Sequence, residues 1–178
     1  MAPRTRNEEF YRIRCVMIIR EFNKSDIPSM LRIWNEVIRA DNAFPQDSEL
    51  EEENAYDYFS SQSFTGVLED SGEIAGVYIL HPNNIGRCGH IANASYAVDA
   101  SRRGQGIGRK IVSHCLEKAA QLGFRILQFN AVVKSNAGAI GLYESMGFIR
   151  LGTVEGGYRH DSGEYEDIIL FYKKLTGG

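Results

Sequence analysis

The segment from Val98 to Lys110 constrains the fold and function more than any other part of the chain. It follows an apolar run typical of a strand and opens a periodic stretch typical of a helix. Glycines here let the backbone approach a ligand closely, since no Cβ intervenes. The first amides of a helix have no acceptors within the helix and bind anions, phosphate above all. Positive charge is added at the same place by Arg102, Arg103, Arg109 and Lys110. The junction therefore predicts an anion site.

Two familiar phosphate loops do not fit this segment. A Walker loop needs GxxxxGK[ST], which the chain lacks. A Rossmann loop needs GxGxxG, whereas Gly104 to Gly108 reads Gly-Gln-Gly-Ile-Gly and lies past the middle of the chain. A glycine-rich turn with a solvated basic edge is the plain alternative. Three alternating glycines at a strand-to-helix junction are poorly explained by turn chemistry alone, so a pyrophosphate ligand is favoured.

Apolar periodicity predicts a mixed α/β fold around this junction. The predicted strands cover residues 16–22, 64–69, 73–80, 90–98, 126–133, 148–154 and 168–175. The predicted helices cover residues 26–39, with Ser25 as N-cap, 49–59, 104–122 and a short stretch from Asn136 to Gly147. Asp70-Ser71-Gly72 is a hairpin signal. The strand-helix-strand section 90–133 is expected to be a right-handed parallel crossover. Residues 1–14 are interpreted as a polar extension and residues 15–178 as a single domain.

Composition excludes several classes of protein. The net charge of −3 and the pI near 5.8 count against a general nucleic-acid binder. No apolar run approaches the roughly 18 residues that a membrane span requires. Three scattered cysteines without CxxC spacing indicate a reducing compartment, so a cytoplasmic protein is expected. The four histidines form no metal-ligand pattern, and no metal is predicted.

Two motifs together resemble a known family. Arg103 to Gly108 matches the [RQ]xxGx[GA] signature of the GCN5-related N-acetyltransferases (GNAT), and Asn136 to Phe148 resembles the family's downstream N..A..LYe..GF element. The resemblance covers most of residues 16–175. It implies a GNAT-type fold, a central mixed sheet with splayed parallel strands flanked by helices. It also implies acetyl-CoA as co-substrate.

The resemblance assigns roles to particular positions. The pyrophosphate would be held by Arg103, Gly104, Gln105, Gly106, Ile107, Gly108 and Arg109. Backbone amides around Val98 would bind the acetyl carbonyl and pantetheine, where charge develops. Asn136 would contact the cofactor, or serve only as a helix N-cap. Tyr143 would protonate the departing thiolate as general acid, its alternative being a half-buried helix aromatic.

The general base is not evident from the sequence. Many family members carry a glutamate on the strand that here covers residues 90–98, and this stretch has none. His90 is its only group with a suitable unperturbed pKa, although an isolated histidine is more often structural. A water chain, or an amine that arrives already deprotonated, would also serve.

Two asparagines in adjacent predicted strands, Asn93 and Asn130, are candidate catalytic residues. Asn is poorly suited to strand interiors, and a buried carboxamide must find partners. We expect a polar pair aimed at the reaction centre that hydrogen-bonds an amine, a carboxylate or the acetyl oxygen. The alternative is a structural pair that bridges the gap between the strands. The spacing of Asn93, Asn130 and Asn136 is similar to that in fungal acetyltransferases acting on proline analogues.

The acceptor side is the part that the sequence defines least. Aromatic and basic candidates, each also explicable by packing, are Trp34, Phe44, Tyr56, Tyr78, His81, Tyr158, Arg159 and His160. The polar segment 156–167, interpreted as a loop, could cover the groove that a peptide acceptor needs. The sequence therefore favours acetyl transfer to a primary or secondary amine of a small molecule, such as an amino acid or analogue, by direct attack in a ternary complex. A protein lysine or N-terminal acetyltransferase and a non-catalytic acyl-CoA sensor are the alternatives. A homodimer is common in the family, and nothing in this sequence demonstrates one.

Overall fold

A computed structural model describes residues 17–175. The helices and strands follow one another in the predicted order. The strands are β1 (Met17–Glu21), β2 (Phe64–Asp70), β3 (Glu73–Pro82), β4 (Ile91–Val98), β5 (Ile126–Val133), β6 (Ile149–Arg159) and β7 (Tyr165–Lys174), and the helices are α1 (Ile27–Arg39), α2 (Glu52–Ser60), α3 (Ile107–Gln121) and α4 (Ala137–Ser145). The polar extension and Cys15 fall outside the described residues, so those predictions stay untested.

The strands form one mixed sheet in the order β1-β2-β3-β4-β5-β7-β6. Every neighbouring pair is antiparallel except β4 and β5, which are parallel as the crossover through α3 predicted. β4 and β5 pair through only two residues each: Ile91 lies opposite Ile126, and Ala92 lies opposite Leu127. Beyond these two pairs β4 and β5 splay apart, which confirms the expected splayed sheet and opens a notch at its centre.

Each face of the sheet carries a hydrophobic layer. On one face α3 and α4 pack through residues such as Ile111 and Ile140. On the other face α1 and α2 pack through residues such as Trp34 and Phe59, both almost fully buried. Successive side chains of a strand point to opposite faces. Ala92 and Ala94 belong to the α3 layer, whereas Ala97 belongs to the α1 layer.

Local sequence patterns predicted the ends of most helices and strands to within a few residues. Ser71 and Gly72 have φ of +56° and +89°, the two positive values of a two-residue hairpin turn, so the predicted β2–β3 hairpin is confirmed. The N-cap prediction at Ser25 was wrong. The side chain of Asn23 accepts from the Ser25 N–H and caps a 3₁₀ turn, Lys24–Asp26, that precedes α1.

The interpretation of residues 156–167 as a loop was also wrong. β6 extends to Arg159 and β7 begins at Tyr165, with Tyr158 paired to Glu166. The sheet edge leaves nearly all of β6 exposed, so its sequence lacks the alternation by which a half-buried strand is recognised. Only residues 160–164 form a turn, and a long covering loop is therefore absent from this part of the described chain.

None of the described helices is long and apolar enough to span a bilayer. Within residues 17–175 no cluster of three or more His, Cys, Asp or Glu side chains is arranged to hold a metal ion.

Candidate active site

A cleft of about 530 Å³ runs from the glycine loop to the notch between β4 and β5. Its walls come from the glycine loop, the start of α3, the start of α4 and the segment after α1. The predicted cofactor residues on these walls are Val98, Arg103, Gly104, Gly106, Ile107, Gly108, Arg109, Asn136 and Tyr143. Of the predicted cofactor set, only Gln105 does not line the cleft, and it is exposed. One cavity thus brings together predicted cofactor residues that lie up to forty-five positions apart in the sequence, from Val98 to Tyr143.

The glycine loop stays outside α3, which begins at Ile107 and not at Gly104 as predicted. Gly104 and Gly106 both have φ of +78°, a left-handed conformation that glycine adopts without steric cost and that a right-handed helix cannot contain. A Cβ at either position would meet open space, so the cost of a side chain there is conformational. No side chain of residues 17–175 caps α3, so its first amides are available to an anion.

Asp99 holds the entry to this loop in place. Its Oδ1 accepts hydrogen bonds from the Ser101 N–H at 2.9 Å and the Ser101 hydroxyl at 2.6 Å. Its Oδ2 lies 2.7 Å from Nη2 of Arg32 on α1. Hydrogen bonds from Ser101 and Arg32 outweigh burial and lower the pKa of Asp99, so the carboxylate stays charged. The loop is anchored to the opposite face of the sheet.

The basic residues of the loop differ in whether their side chains already form ion pairs or hydrogen bonds within the protein. Arg102 pairs with Asp70, and Arg109 donates to the Ser145 hydroxyl at 2.6 Å. Within residues 17–175 the side chains of Arg103 and Lys110 make no ion pair or hydrogen bond. Arg103 lines the cleft, whereas Lys110 lies on the far side of α3 near Met17. Among these residues, Arg103 therefore has a side chain that lines the cleft and is available to an anion at the predicted site.

Asn136 is the N-cap of α4 and Tyr143 lies on that helix, both at the inner end of the cleft. The side-chain oxygen of Asn136 accepts from the Ala139 N–H at 3.1 Å, so the predicted N-cap is confirmed, and its amide nitrogen reaches the Asn42 carbonyl at 3.4 Å. Tyr143 packs its ring on Phe129, with centroids 4.4 Å apart. Its hydroxyl makes no hydrogen bond within the described chain. Burial raises the pKa of Tyr143, which keeps the hydroxyl protonated.

A second pocket of about 330 Å³ adjoins the cleft on the other side of the notch. The two cavities share Ala43, Tyr96, Asn136, Ala139 and Tyr143. Among the described residues the lining of the second pocket is uncharged: it comprises apolar side chains, tyrosines, one serine and three asparagines, and no Asp, Glu, Lys, Arg or His. A molecule in this pocket would meet the inner end of the cleft at Tyr143.

Asn93 and Asn130 both line the second pocket, but the structure does not pair them with each other. The Asn93 side-chain oxygen accepts from the Ala94 N–H at 2.8 Å. Asn130 forms two hydrogen bonds with Asn83, at 2.6 and 3.3 Å, and accepts a third from Gln128 at 3.0 Å. Each side chain is held by other partners, so the alternative of a structural pair that bridges the two strands is not observed. The expected role of both amides at the reaction centre stays a prediction.

Most of the predicted acceptor-side residues lie elsewhere. Trp34 and Tyr78 are buried in the core, with the Tyr78 hydroxyl 2.7 Å from Nδ1 of His114. The other five outside the pocket are Tyr56, His81, Tyr158, Arg159 and His160, and only Phe44 lines it. His90 is exposed at the start of β4 and lines neither cavity. The candidate histidine base is therefore remote from Tyr143.

Sequence reasoning missed several residues of the site. Tyr96 lines both cavities, and its buried hydroxyl has only the Cys115 thiol as a hydrogen-bonding neighbour among residues 17–175. Its place on the cofactor face follows from alternation with Ala92 and Ala94, a signal present in the sequence. Asn83 contacts Asn130 from a loop 47 positions away, and no spacing pattern marks such a pair.

Comparison with known proteins agrees with this geometry. Residues 30–148 match the model of the Acetyltransferase (GNAT) family. The chain is 27% identical over 168 residues to N-acetyltransferase aca1 of Schizosaccharomyces pombe, covering 84% of this chain and 80% of that protein. It is 23% identical over 137 residues to an L-methionine sulfoximine/L-methionine sulfone acetyltransferase of Salmonella typhimurium, covering 74% and 80% respectively.

A solved structure shares both fold and sequence with the chain. A GCN5-related N-acetyltransferase from Kribbella flavida superimposes with a TM-score of 0.83 at 32% identity, covering 89% of this chain and 98% of that one. With the family model covering both the glycine loop and Tyr143, the chain belongs to the GNAT family and is an acetyl-CoA-dependent N-acetyltransferase.

Proposed function

We propose that the chain transfers the acetyl group of acetyl-CoA to the amine of a small molecule of the amino-acid class, by direct attack in a ternary complex. The observation that carries this proposal is the junction of the two cavities at Tyr143 and Tyr96. Acetyl-CoA occupies the larger cleft, with its pyrophosphate at the glycine loop. The acceptor occupies the smaller pocket. The two reactants then meet without a covalent acetyl-enzyme.

The size and chemistry of the smaller pocket support a small acceptor. Its volume of about 330 Å³ is at the lower end of ligand pockets, which typically span roughly 300–1,000 Å³. Its carboxamides can donate to a carboxylate or accept from an amine. A relative named above acts on L-methionine sulfoximine and L-methionine sulfone, which are amino-acid analogues. These features support an amino acid or analogue over a protein lysine.

The transfer step follows from the positions of the side chains. The amine nitrogen attacks the acetyl carbon, and the carbonyl oxygen becomes an oxyanion that backbone amides near Val98 stabilise. The carbon–sulfur bond then breaks, and the thiolate takes the proton of the Tyr143 hydroxyl. The attacking nitrogen releases its extra proton to solvent, and the Tyr143 oxygen regains a proton from solvent before the next turnover. Burial keeps that hydroxyl protonated until this step. Asn136 holds the start of α4 beside the pantetheine arm.

The acceptor amine must arrive without its proton. The pocket offers no carboxylate or imidazole to remove one, and an ammonium buried there would have no counter-charge. The amine therefore loses its proton to bulk solvent before it enters the pocket. The amides of Asn93 and Asn130 then orient the neutral amine and the polar groups beside it.

Thiol release from acetyl-CoA tests the proposal directly. The acceptor panel contains L-methionine sulfone, proline analogues, unmodified amino acids, polyamines and a lysine peptide. Release is expected with members of the amino-acid class. Release with the lysine peptide alone would transfer the acceptor assignment to proteins, and confirmed acetyl-CoA binding without release to any amine would leave only the sensor function. Gly106→Val serves as the control, since a β-branched residue at a φ of +78° distorts the glycine loop.

A further inference from the structure

The segment after α1, residues 41–45, helps to shape both cavities. Asn42 and Ala43 line the acetyl-CoA cleft, while Ala43, Phe44 and Pro45 line the acceptor pocket. The segment has no helix or strand of its own. Its position therefore depends on side-chain contacts made from other parts of the chain.

The tip of the β6–β7 hairpin supplies these contacts. The Tyr158 hydroxyl lies 3.2 Å from Oδ1 of Asp41 and 3.0 Å from the Phe44 carbonyl oxygen. The Asp161 N–H donates to Oδ2 of Asp41 at 3.0 Å. Asp41 has a φ of +47°, a left-handed conformation that is uncommon for a residue with a side chain. The contacts hold Asp41 in a conformation that the isolated segment would rarely adopt.

His160 joins the 41–45 segment to the start of α4. Its Nδ1 lies 3.1 Å from the Asp41 carbonyl oxygen and 3.3 Å from Oδ2 of Asp41, and its Nε2 lies 2.9 Å from Oε2 of Glu166. Glu166 in turn accepts hydrogen bonds from the Ser135 hydroxyl at 3.0 Å and from the Ser135 N–H. Ser135 precedes Asn136, whose amide reaches the Asn42 carbonyl. The chain of contacts closes at the acetyl-CoA cleft.

We propose that His160 is a positioning residue that holds the 41–45 segment against α4 and thereby sets the width of both cavities. His160 lines neither cavity, so it acts through Asp41 and Glu166 and not on the reactants. Both of its ring nitrogens face oxygen acceptors. Only the doubly protonated imidazolium donates from both nitrogens, whereas the neutral ring turns a lone pair toward one oxygen.

The carboxylates in contact with His160, Asp41 on the segment and Glu166 on β7, favour its protonated form. The other ionisable groups around it are Asp161 in the turn, the neutral Tyr158 on β6 and Lys134, whose charge is paired with Asp167. The hydrogen bond to Glu166, followed by that to Asp41, raises the pKa of His160. Burial alone would raise the pKa of Glu166, but hydrogen bonds from His160 and Ser135 lower it.

The sign of the pH dependence follows from these shifts. The pKa of His160 is raised in the folded chain, so its contribution is complete below the ordinary histidine value of about 6.5. The contribution is lost as the pH rises through the raised value. At the acid end the contacts weaken when Glu166 and Asp41, whose pKa values are lowered, take up protons. The segment is therefore held most firmly between these limits and is released on the alkaline side.

Hydrogen exchange measures this without any assumption about the reaction. Protection factors of residues 41–46 in the wild-type chain should fall as the pH rises above neutrality, while those of α3 stay constant. His160→Gln should lower the protection of residues 41–46 at neutral pH and remove the pH step. Glu164→Gln is the matched control, since this exposed side chain of the same turn makes no hydrogen bond in the described chain. Protection of residues 41–46 that is independent of pH in the wild type, or unchanged in His160→Gln, would overturn the proposal.

A second test, by steady-state kinetics, rests on the proposed function. In His160→Gln, KM for the acceptor should rise roughly tenfold with a smaller change in kcat, the size expected for loss of a charge-assisted hydrogen bond at a partly exposed site. The alkaline rise in KM should be present in the wild type and in Glu164→Gln and absent in His160→Gln. An equal KM in all three proteins would contradict the positioning role. Absence of acetyl transfer from the wild type would reject the enzyme instead, and the exchange measurement would still decide the role of His160.

Discussion

Asn83 and Asn130 form a reciprocal pair of amide hydrogen bonds, at 2.6 and 3.3 Å, at the edge of the acceptor pocket. With the further bond from Gln128, the Asn130 oxygen receives two donors and its two lone pairs are filled. One N–H of Asn130 is committed to Asn83, which leaves the other free. Asn130 therefore offers the pocket a donor, and Asn83 fixes that orientation.

Replacing Asn83 should disturb the acceptor and spare the cofactor. Asn83→Ala frees the Asn130 amide to rotate, so KM for the acceptor should rise by roughly threefold to tenfold, the range for loss of one or two net hydrogen bonds. KM for acetyl-CoA should stay constant. Steady-state thiol release with each substrate varied in turn checks this. Asn84→Ala is the control, and an equal effect of both variants would attribute the change to the loop as a whole.

Tyr143→Phe should separate chemistry from binding. Loss of the proton donor should lower kcat by roughly a hundredfold or more, as removal of general acid catalysis does. The Kd of acetyl-CoA, measured by calorimetry, should change little, because the ring that packs on Phe129 is retained. Unchanged kcat across the pH range would reject the acid role. A large loss of acetyl-CoA affinity would show instead that the hydroxyl contributes mainly to binding.

Arg103→Gln should weaken cofactor binding without altering the chemical step. Arg103 is the loop cation that no side chain engages in residues 17–175, so its charge is available to the pyrophosphate. Affinity for acetyl-CoA should fall about tenfold, and its dependence on salt should decrease. Arg125→Gln removes an arginine remote from the glycine loop and should have no effect. Equal loss in both variants would indicate a general effect of net charge.

The pH profile should follow the acceptor and not a base on the protein. Since no carboxylate or imidazole of the described residues lines the acceptor pocket, kcat/KM of His160→Gln, which lacks the alkaline rise in KM proposed above, should rise about tenfold per pH unit below the pKa of the acceptor amine and then level off. L-methionine sulfone and its methyl ester, whose amine is more acidic, should show inflections at different pH values. An inflection at the same pH with both acceptors would indicate a titrating group on the protein.

Tyr96→Phe should stabilise the chain. The Tyr96 hydroxyl is buried beside the Cys115 thiol, a weak hydrogen-bonding partner, and burial raises its pKa well above the usual range. Because a thiol compensates little of the hydroxyl's lost hydration, removing the hydroxyl should increase the free energy of unfolding by about 1 kcal/mol. Urea denaturation of the ligand-free protein gives the value, with Tyr165→Phe, an exposed tyrosine, as control. Destabilisation would show that the hydroxyl is hydrogen-bonded in solution.

Local sequence patterns predicted the parts of the site that are built from adjacent residues. The glycine loop and the Asn136 cap depend on backbone conformations and hydrogen bonds within a few positions, and both are present. The His160–Asp41 contact joins residues 119 positions apart, and no local signal encodes it. Asn93 and Asn130 were placed correctly on adjacent strands, yet the extent of splay between those strands decided their partners. Such distances depend on the packing of both layers against the sheet.

The small number of residues that pair between β4 and β5 has a consequence for the stability of the protein in the cell. Two residue pairs, with the Arg125 N–H to His90 carbonyl bond beside them, are the backbone contact between strands β1–β4 and strands β5–β7. In the proposed placement acetyl-CoA lies across this boundary, where it would bind both groups of strands as well as take part in the reaction. At a hundred times its Kd such a ligand adds about 2.7 kcal/mol to the stability of the folded state. When acetyl-CoA is scarce the enzyme is both idle and easier to unfold, so its abundance is expected to follow the supply of acetyl-CoA.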